Sequence, residues 1–408
     1  MANSGSPSGA LTRRVCPSCS TAVTRILYRV PSIPIHSCIL LDTAEAARAL
    51  TRRDLELACC DSCGFVFNHI FDEAVMRYST NFEESQHFSG IFNAFARQLA
   101  REAAEKCAIA GKHVIEIGCG KGEFLRELCD VDGATGLGID PGYRADEGRL
   151  TPSDKVRFIT DLFSEKYEHL EADVIVCRHT LEHIAPVRSF VGSIRRMIGE
   201  RDDAAVFFET PDAKRVLAEG AFWDIYYEHC SYFSPGAHAR LFRQEGFDVT
   251  ELRLAYDDQY IIQYANPVSR HSPPRLALEQ DLAELQCLAA NFPERVRQVQ
   301  DGWRKRVRSA WKCGQRIVLW GGGSKGVSFL TTLGLTEEIA AVVDVNPFKQ
   351  GKFMPGTGHP VIAPKALIDQ PADLVIVMNP IYVPEIELSL KETGLRPEIV
   401  ALSPMGFT

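Results

Sequence analysis

No apolar stretch in these 408 residues approaches the roughly 18 to 20 residues that a membrane-spanning helix needs. Basic residues are also short: 45 stand against 53 acidic ones, for a net charge of −8. The first shortage argues against a helical membrane span. The second removes the basic footprint on which a phosphate backbone or an anionic lipid surface would draw, so neither nucleic acid nor membrane is expected as a partner. The opening, Met-Ala-Asn-Ser-Gly-Ser-Pro-Ser-Gly-Ala-Leu-Thr-Arg-Arg, lacks the apolar core and cleavage pattern of a secretion signal, so a cytoplasmic chain is expected. Cysteine, by contrast, is plentiful. Thirteen of them in a reducing compartment read as metal ligands or catalysts rather than disulfides, and an odd number cannot pair completely.

The length leaves room for about two to four domains. Residues 1–14 are small and polar and read as a disordered tail. Residues 15–75 hold only short apolar runs broken by Pro31, Pro34 and Gly64, too few for a core of their own, so a staple is needed. From 76 to about 265 the chain alternates apolar strand candidates (Val114–Ile117, Gly136–Ile139, Val174–Cys177, Ala205–Glu209, Val249–Leu254) with helical stretches (Glu123–Cys129, Val187–Ile198, Ala237–Gln244). That alternation signals βαβ units and a mainly parallel sheet. Residues 266–312 read as a helical connection, interrupted at Pro293. A second α/β pattern fills 313–408, and Asp344 follows Gly322 at the same interval as Asp140 follows Gly118. The expected architecture is α/β throughout, with a small stapled module in front.

Four segments could carry chemistry. Cys16-Pro-Ser-Cys19 and Cys60-Asp-Ser-Cys63 form two knuckles whose four thiolates can converge on one structural, tetrahedral Zn²⁺. A reduced or redox-active pair is the alternative, and Cys38, Cys59, His36 or His69 could replace one ligand. Val114-Ile-Glu-Ile-Gly-Cys-Gly-Lys-Gly122 runs a strand into glycines at a helix start, where free N–H groups meet a ligand. Its last glycine comes one residue earlier than in the dinucleotide fingerprint, and Glu116 precedes Gly118, Gly120 and Gly122, a pattern suited to a ligand with an amino-acid end. Asp140, closing the next strand, stands where a carboxylate can accept ribose hydroxyls. The segment Phe222-Trp-Asp-Ile-Tyr-Tyr-Glu-His-Cys-Ser-Tyr-Phe233 packs three tyrosines, two acids and a histidine together; it reads as a catalytic loop or, alternatively, as tyrosines with wet ends in a core. Finally, Leu319-Trp-Gly-Gly-Gly-Ser-Lys-Gly326 offers Lys325 to an anionic group, or serves only as a tight turn.

At Glu116 to Gly122 and Asp140 the chain resembles the class I S-adenosylmethionine-dependent methyltransferases. Cys177-Arg-His-Thr-Leu-Glu-His-Ile184 is similar to that family's fourth-strand motif, which puts His179 beside the cofactor, and Asp161 falls where the family contacts adenine. Capping or packing is the other reading of His179 and His183. Zinc knuckles before the core, Tyr226-Tyr-Glu-His-Cys-Ser-Tyr-Phe233 within it and a glycine-rich Rossmann-like part after it narrow the resemblance. That order resembles the C-methyltransferases of nucleotide-linked ketodeoxysugars. The resemblance implies S-adenosylmethionine as cofactor, a structural zinc, a nucleotide-activated keto sugar as substrate and His229 as general base, with Glu228, Tyr226, Tyr227 and Tyr78 around the sugar. The family commonly carries a histidine where Tyr227 stands. A scaffold protein that keeps the cofactor fold, or a nicotinamide-dependent oxidoreductase using the C-terminal glycine loop, are the rival readings.

Overall fold

The computed structural model describes residues 15–23, 25–76, 82–144, 154–268 and 273–404. Its first sheet is antiparallel and built from β1 (Arg25–Pro34), β2 (Arg52–Cys59) and β3 (Val66–Asn68). Along β2, Leu55, Leu57 and Cys59 recur at period two and are all buried, as one packed face of a strand requires.

The central sheet follows, with β4 (His113–Ile117), β5 (Thr135–Ile139), β6 (Val156–Ile159), β7 (Val174–Arg178) and β8 (Ala205–Pro211). A two-residue strand, β9 (Ser231–Tyr232), leaves this region to pair with β3 and becomes the fourth strand of the first sheet. Next come β10 (Phe247–Ala255) and β11 (Tyr260–Pro267). The seven strands lie in the order β10-β11-β8-β7-β4-β5-β6; β4 to β8 run parallel, and β11 is antiparallel to both neighbours. The chain starts at β4, moves outward to β6 and returns to β7, so the order reverses between β4 and β7. Open α/β sheets bind ligands at such a reversal. The helix Val187–Ile198 buries Val187, Phe190, Val191, Ile194, Met197 and Ile198, one apolar stripe at helical spacing.

The last sheet is fully parallel: β12 (Ile317–Trp320), β13 (Ala341–Val343), β14 (Val361–Ile362), β15 (Leu374–Val377) and β16 (Glu398–Ala401), in the order β14-β13-β12-β15-β16. Its order reverses between β12 and β15. The carboxylate that follows each second strand closes the glycine turn after the first. Gly120 N donates to Asp140 Oδ2 at 2.9 Å, and Gly322 N donates to Asp344 Oδ2 at 2.7 Å.

Leu282–Lys312 is one continuous helix, without the expected interruption at Pro293. Proline costs that helix one backbone hydrogen bond, but Phe292 and Val296 on either side are buried and anchor the turn. Its stripe of Leu285, Ala289, Phe292, Val296, Val299, Trp303 and Val307 joins a single apolar cluster. The same cluster contains Leu27, Val30, Leu55 and Leu57 of the first sheet and Ile317, Leu319 and Phe329 of the last lobe. The small N-terminal module therefore shares a core instead of building one. Among the described residues no helix is long and apolar enough to cross a membrane.

Candidate active site

A cavity of about 770 Å³ opens where the β4 and β7 ends, the 224–232 segment and the loop after β12 meet. The two sheet reversals thus face one chamber. Its first wall is the glycine loop. Gly118 and Gly122 have φ of +73° and +82°, and a Cβ at Gly118 would fall 1.9 Å from Thr180 Oγ1. Only glycine lets the backbone turn this tightly.

Glu116 reaches the floor of this loop from β4 and is 2% exposed, and its Oε2 has no hydrogen-bond partner among the described residues. Burial pushes its carboxyl up to about 8, against the opposing pull of Arg178. A buried acid oxygen without a partner at the base of the glycine loop suits the ammonium end of an amino-acid ligand. Asp140, in addition to the Gly120 contact, accepts from Gly142 N at 2.6 Å, and burial raises its carboxyl as well. His179 lines the cavity with φ +48°, its ring nitrogens 3.4 Å from Glu209 Oε1 and 3.6 Å from Glu182 Oε1. Burial pulls the imidazole down, but the Glu209 and Glu182 carboxylates outweigh it and push His179 up to about 9.

Asp161 does not join this wall. Its carboxylate pairs with Lys166 and accepts from Tyr167 Oη at 2.6 Å, while its neighbours Leu162 and Phe163 line the cavity instead. In a segment without regular secondary structure nothing in the sequence selects which of three successive side chains turns inward.

The second wall is the tyrosine-rich segment. His229 is 7% exposed, and its Nε2 lies 3.0 Å from Tyr226 Oη. Burial, followed by the nearby His183, His179 and Lys325, holds His229 well below the usual imidazole range, so the ring is neutral at physiological pH. The His183 ring meets it edge to face, with centroids 4.7 Å apart. His183 Nδ1 donates to the Glu228 carbonyl at 3.0 Å. Glu228 lines the cavity but its side chain does not orient His229. Its carboxylate faces His36 Nδ1 at 3.2 Å and accepts from Ser37 N at 2.8 Å and from the Ser37 hydroxyl.

Tyr227 turns the other way: it is 1% exposed, packs at a tilt against Phe71, and accepts from Asp72 N at 3.0 Å within the shared core. The two adjacent tyrosines point in opposite directions, Tyr226 to the cavity and Tyr227 to the packing. Tyr78 lies outside the described residues. Lys325 meets a carboxylate of the chain itself, with Nζ 2.7 Å from Asp224 Oδ1, while Arg215 holds Asp224 Oδ2 at 2.7 Å.

The four cysteines converge. Cys16, Cys19, Cys60 and Cys63 place their sulfurs within 4.8 Å of one another, with Cys16 to Cys63 at 3.6 Å and Cys19 to Cys60 at 3.5 Å. Bonds of about 2.3 Å from a tetrahedral Zn²⁺ imply sulfur separations of about 3.8 Å, so the set fits such an ion. None of the alternative ligands belongs to the cluster. His69 pairs with Glu56 at 2.7 Å, His36 with Glu228, and Cys38 with Ser324 Oγ at 3.2 Å in the cavity wall.

Sequence reasoning missed Glu182, Gln259 and Asn379, all of which line the cavity. Gln259 and Asn379 exchange amide hydrogen bonds of 3.1 and 3.0 Å between the core and the last lobe. Gln259 stands just before β11 and Asn379 just after β15, and their pairing spans more than a hundred positions, so no local pattern signals it.

Two family profiles match the chain: a methyltransferase domain over residues 88–252 and a C-methyltransferase C-terminal domain over residues 276–396. The C-methyltransferase NovU of Streptomyces niveus is 26% identical over 378 residues, 88% of each chain. A ubiquinone biosynthesis O-methyltransferase of Pseudomonas syringae pv. tomato is 34% identical over 117 residues, 26% of this chain and 47% of its own length. Among solved structures, a SAM-dependent methyltransferase from Aquifex aeolicus covers 43% of this chain and 98% of its own at 14% identity, with a TM-score of 0.33. With a class I core sheet, a methyltransferase domain around it and a C-methyltransferase domain behind it, the chain belongs to the S-adenosylmethionine-dependent methyltransferases.

Proposed function

We propose that this enzyme methylates a carbon atom next to a ketone in a small substrate, best matched by a nucleotide-linked keto-deoxysugar. The observation that carries the reading is His229: a buried, neutral imidazole, hydrogen-bonded to Tyr226, inside the cavity shared by the cofactor loop and the last lobe. S-adenosylmethionine supplies, when bound, a methyl group already activated on sulfonium; Glu116, Gly118, Gly120, Gly122 and Asp140 would hold it, with His179 nearby. The chain's task is then to make a carbon nucleophile and exclude water. A neutral imidazole can take the proton next to the carbonyl. Tyr226 can donate to the developing enolate oxygen, a charge present only on the way to product. Similarity to a C-methyltransferase over 88% of each chain supports carbon as the acceptor, and the resemblance to the ketodeoxysugar enzymes supports the sugar.

His229→Asn tests the base: the variant is expected to bind S-adenosylmethionine normally in calorimetry and to lose exchange of the substrate α-proton with deuterated solvent. Retained exchange would exclude His229. We also propose that Cys16, Cys19, Cys60 and Cys63 hold one structural zinc, and that residues 15–75, 76–265, 266–312 and 313–408 act as zinc module, core, connection and C-terminal lobe. Metal analysis of Cys16→Ser should find the zinc gone; full occupancy in that variant would mean that another ligand serves. The reading carries with it a cytoplasmic location, where thiols stay reduced.

A further inference from the structure

We infer that Glu182, His183 and His229 form a second metal site, selective for a divalent first-row transition ion, and that filling it silences the enzyme. The three residues bring one ligand atom each to within 4.8 Å of one another, and all three line the active-site cavity. Two histidines and one carboxylate are a donor set suited to Zn²⁺, Co²⁺, Fe²⁺ or Mn²⁺. Around such an ion, with bonds of about 2.1 Å, neighbouring donors sit about 3 to 3.4 Å apart, so modest side-chain rotations close the set.

Each residue is prepared for the role. Glu182 is 2% exposed, and while its Oε1 faces His179 at 3.6 Å, its Oε2 has no hydrogen-bond partner among the described residues. A buried carboxylate oxygen left in that state is costly unless something cationic meets it. His183 is oriented by donating Nδ1 to the Glu228 carbonyl at 3.0 Å, and His229 is oriented by Tyr226 Oη at 3.0 Å. Metal-binding histidines are held by such partners on the ring nitrogen that does not face the ion. The two rings already stand nearly perpendicular, at 86°.

The ion would occupy the lone pair that the base needs. This inhibitory half rests on the reading of His229 given above; the binding half does not. The two metal sites also differ in kind. Four thiolates make a soft site that fills first, whereas the nitrogen and oxygen donors in the cavity make a harder, weaker one. One chain would thus require zinc in its N-terminal module and be stopped by it in the cavity.

The test uses the full chain carrying one zinc per molecule, titrated with Co²⁺. The expected result is one further equivalent with the visible bands of nitrogen and oxygen ligation and no thiolate charge-transfer band, with methyl transfer falling in proportion to occupancy. Glu182→Gln and His183→Asn should each weaken this binding by at least about tenfold while keeping the single zinc, which reports that they fold. If both variants misfold, the spectrum of the unmodified chain decides. Absence of a second equivalent overturns the proposal, as does a thiolate band, which would place the ion at a cysteine such as Cys38. Unchanged or faster methyl transfer at full occupancy overturns the inhibitory half, and proton exchange in His229→Asn separates that outcome from a wrong base.

Discussion

Glu116 is expected to weaken the cofactor-free protein, and replacing it should show by how much. Its carboxyl moves from the ordinary 4.5 to about 8 because the fold buries it without an adequate partner. The folded value lies above the unfolded one, so the fold prefers the protonated acid. Below pH 4.5 both states are protonated and nothing is lost. Between 4.5 and 8 the unfolded chain releases the proton and the folded one keeps it, so stability falls by about 1.4 kcal/mol per pH unit. The penalty is about 1 kcal/mol at pH 5.5 and about 4 kcal/mol at pH 7.5. Glu116→Gln keeps the shape and removes the titration. A buried amide carries its own cost of about 1–3 kcal/mol, but that cost does not vary with pH. The measurement is therefore the difference between variant and parent in urea unfolding, followed by circular dichroism at pH 5.5 and 7.5 without cofactor. The variant should gain about 3 kcal/mol on the parent between these two conditions. A difference that stays flat across that interval would refute the argument. The same variant should bind S-adenosylmethionine more weakly at pH 7.5, the cost of a site built around an unpaired acid.

Two further outcomes follow from side-chain placement. Gly118→Ala puts a Cβ 1.9 Å from Thr180 Oγ1 and should abolish S-adenosylmethionine binding in calorimetry, whereas Gly111→Ala, at φ +71° with nothing within 4 Å, should leave binding intact and cost only the backbone strain of about 1 kcal/mol. Tyr226→Phe should lower kcat by removing a donor from the cavity, while Tyr227→Phe should leave kcat unchanged and lower the urea midpoint, because Asp72 N loses its acceptor. Equal effects of the two substitutions on kcat would contradict the opposite orientation of the two rings.

Features governed by neighbours in sequence were readable before any coordinates. The run from Val114 to Gly122 combines a buried strand, a glycine turn and a helix start within nine positions, and the helix Val187–Ile198 announces itself by one apolar stripe. The paired cysteine knuckles are legible because each two-residue turn is local and only the meeting of the pairs is not. Where direction depends on packing from elsewhere, the pattern fails. Tyr226 and Tyr227 are alike in composition, and only Phe71 and Asp72, far upstream, decide that the second faces the core. Glu228 looks like a partner for the adjacent His229, yet its carboxylate is claimed by His36 and Ser37 across the fold. A strand as short as β9 has no period to read. Pro293 shows the opposite error: a strong local breaker is overruled by the buried stripe on both sides of it.

The pairing of β9 with β3 also constrains the order in which the protein can assemble. All four cysteines have been synthesised once Cys63 leaves the ribosome, so their sulfurs can come together early. The edge of β3 nevertheless stays open until Ser231 and Tyr232 arrive with the tyrosine-rich segment. An open strand edge invites pairing with the wrong chain. Completing the first sheet and placing His229 in the cavity are therefore one event: the strand that closes the early sheet begins two residues after His229, so a chain that has not delivered that histidine has not finished folding its beginning.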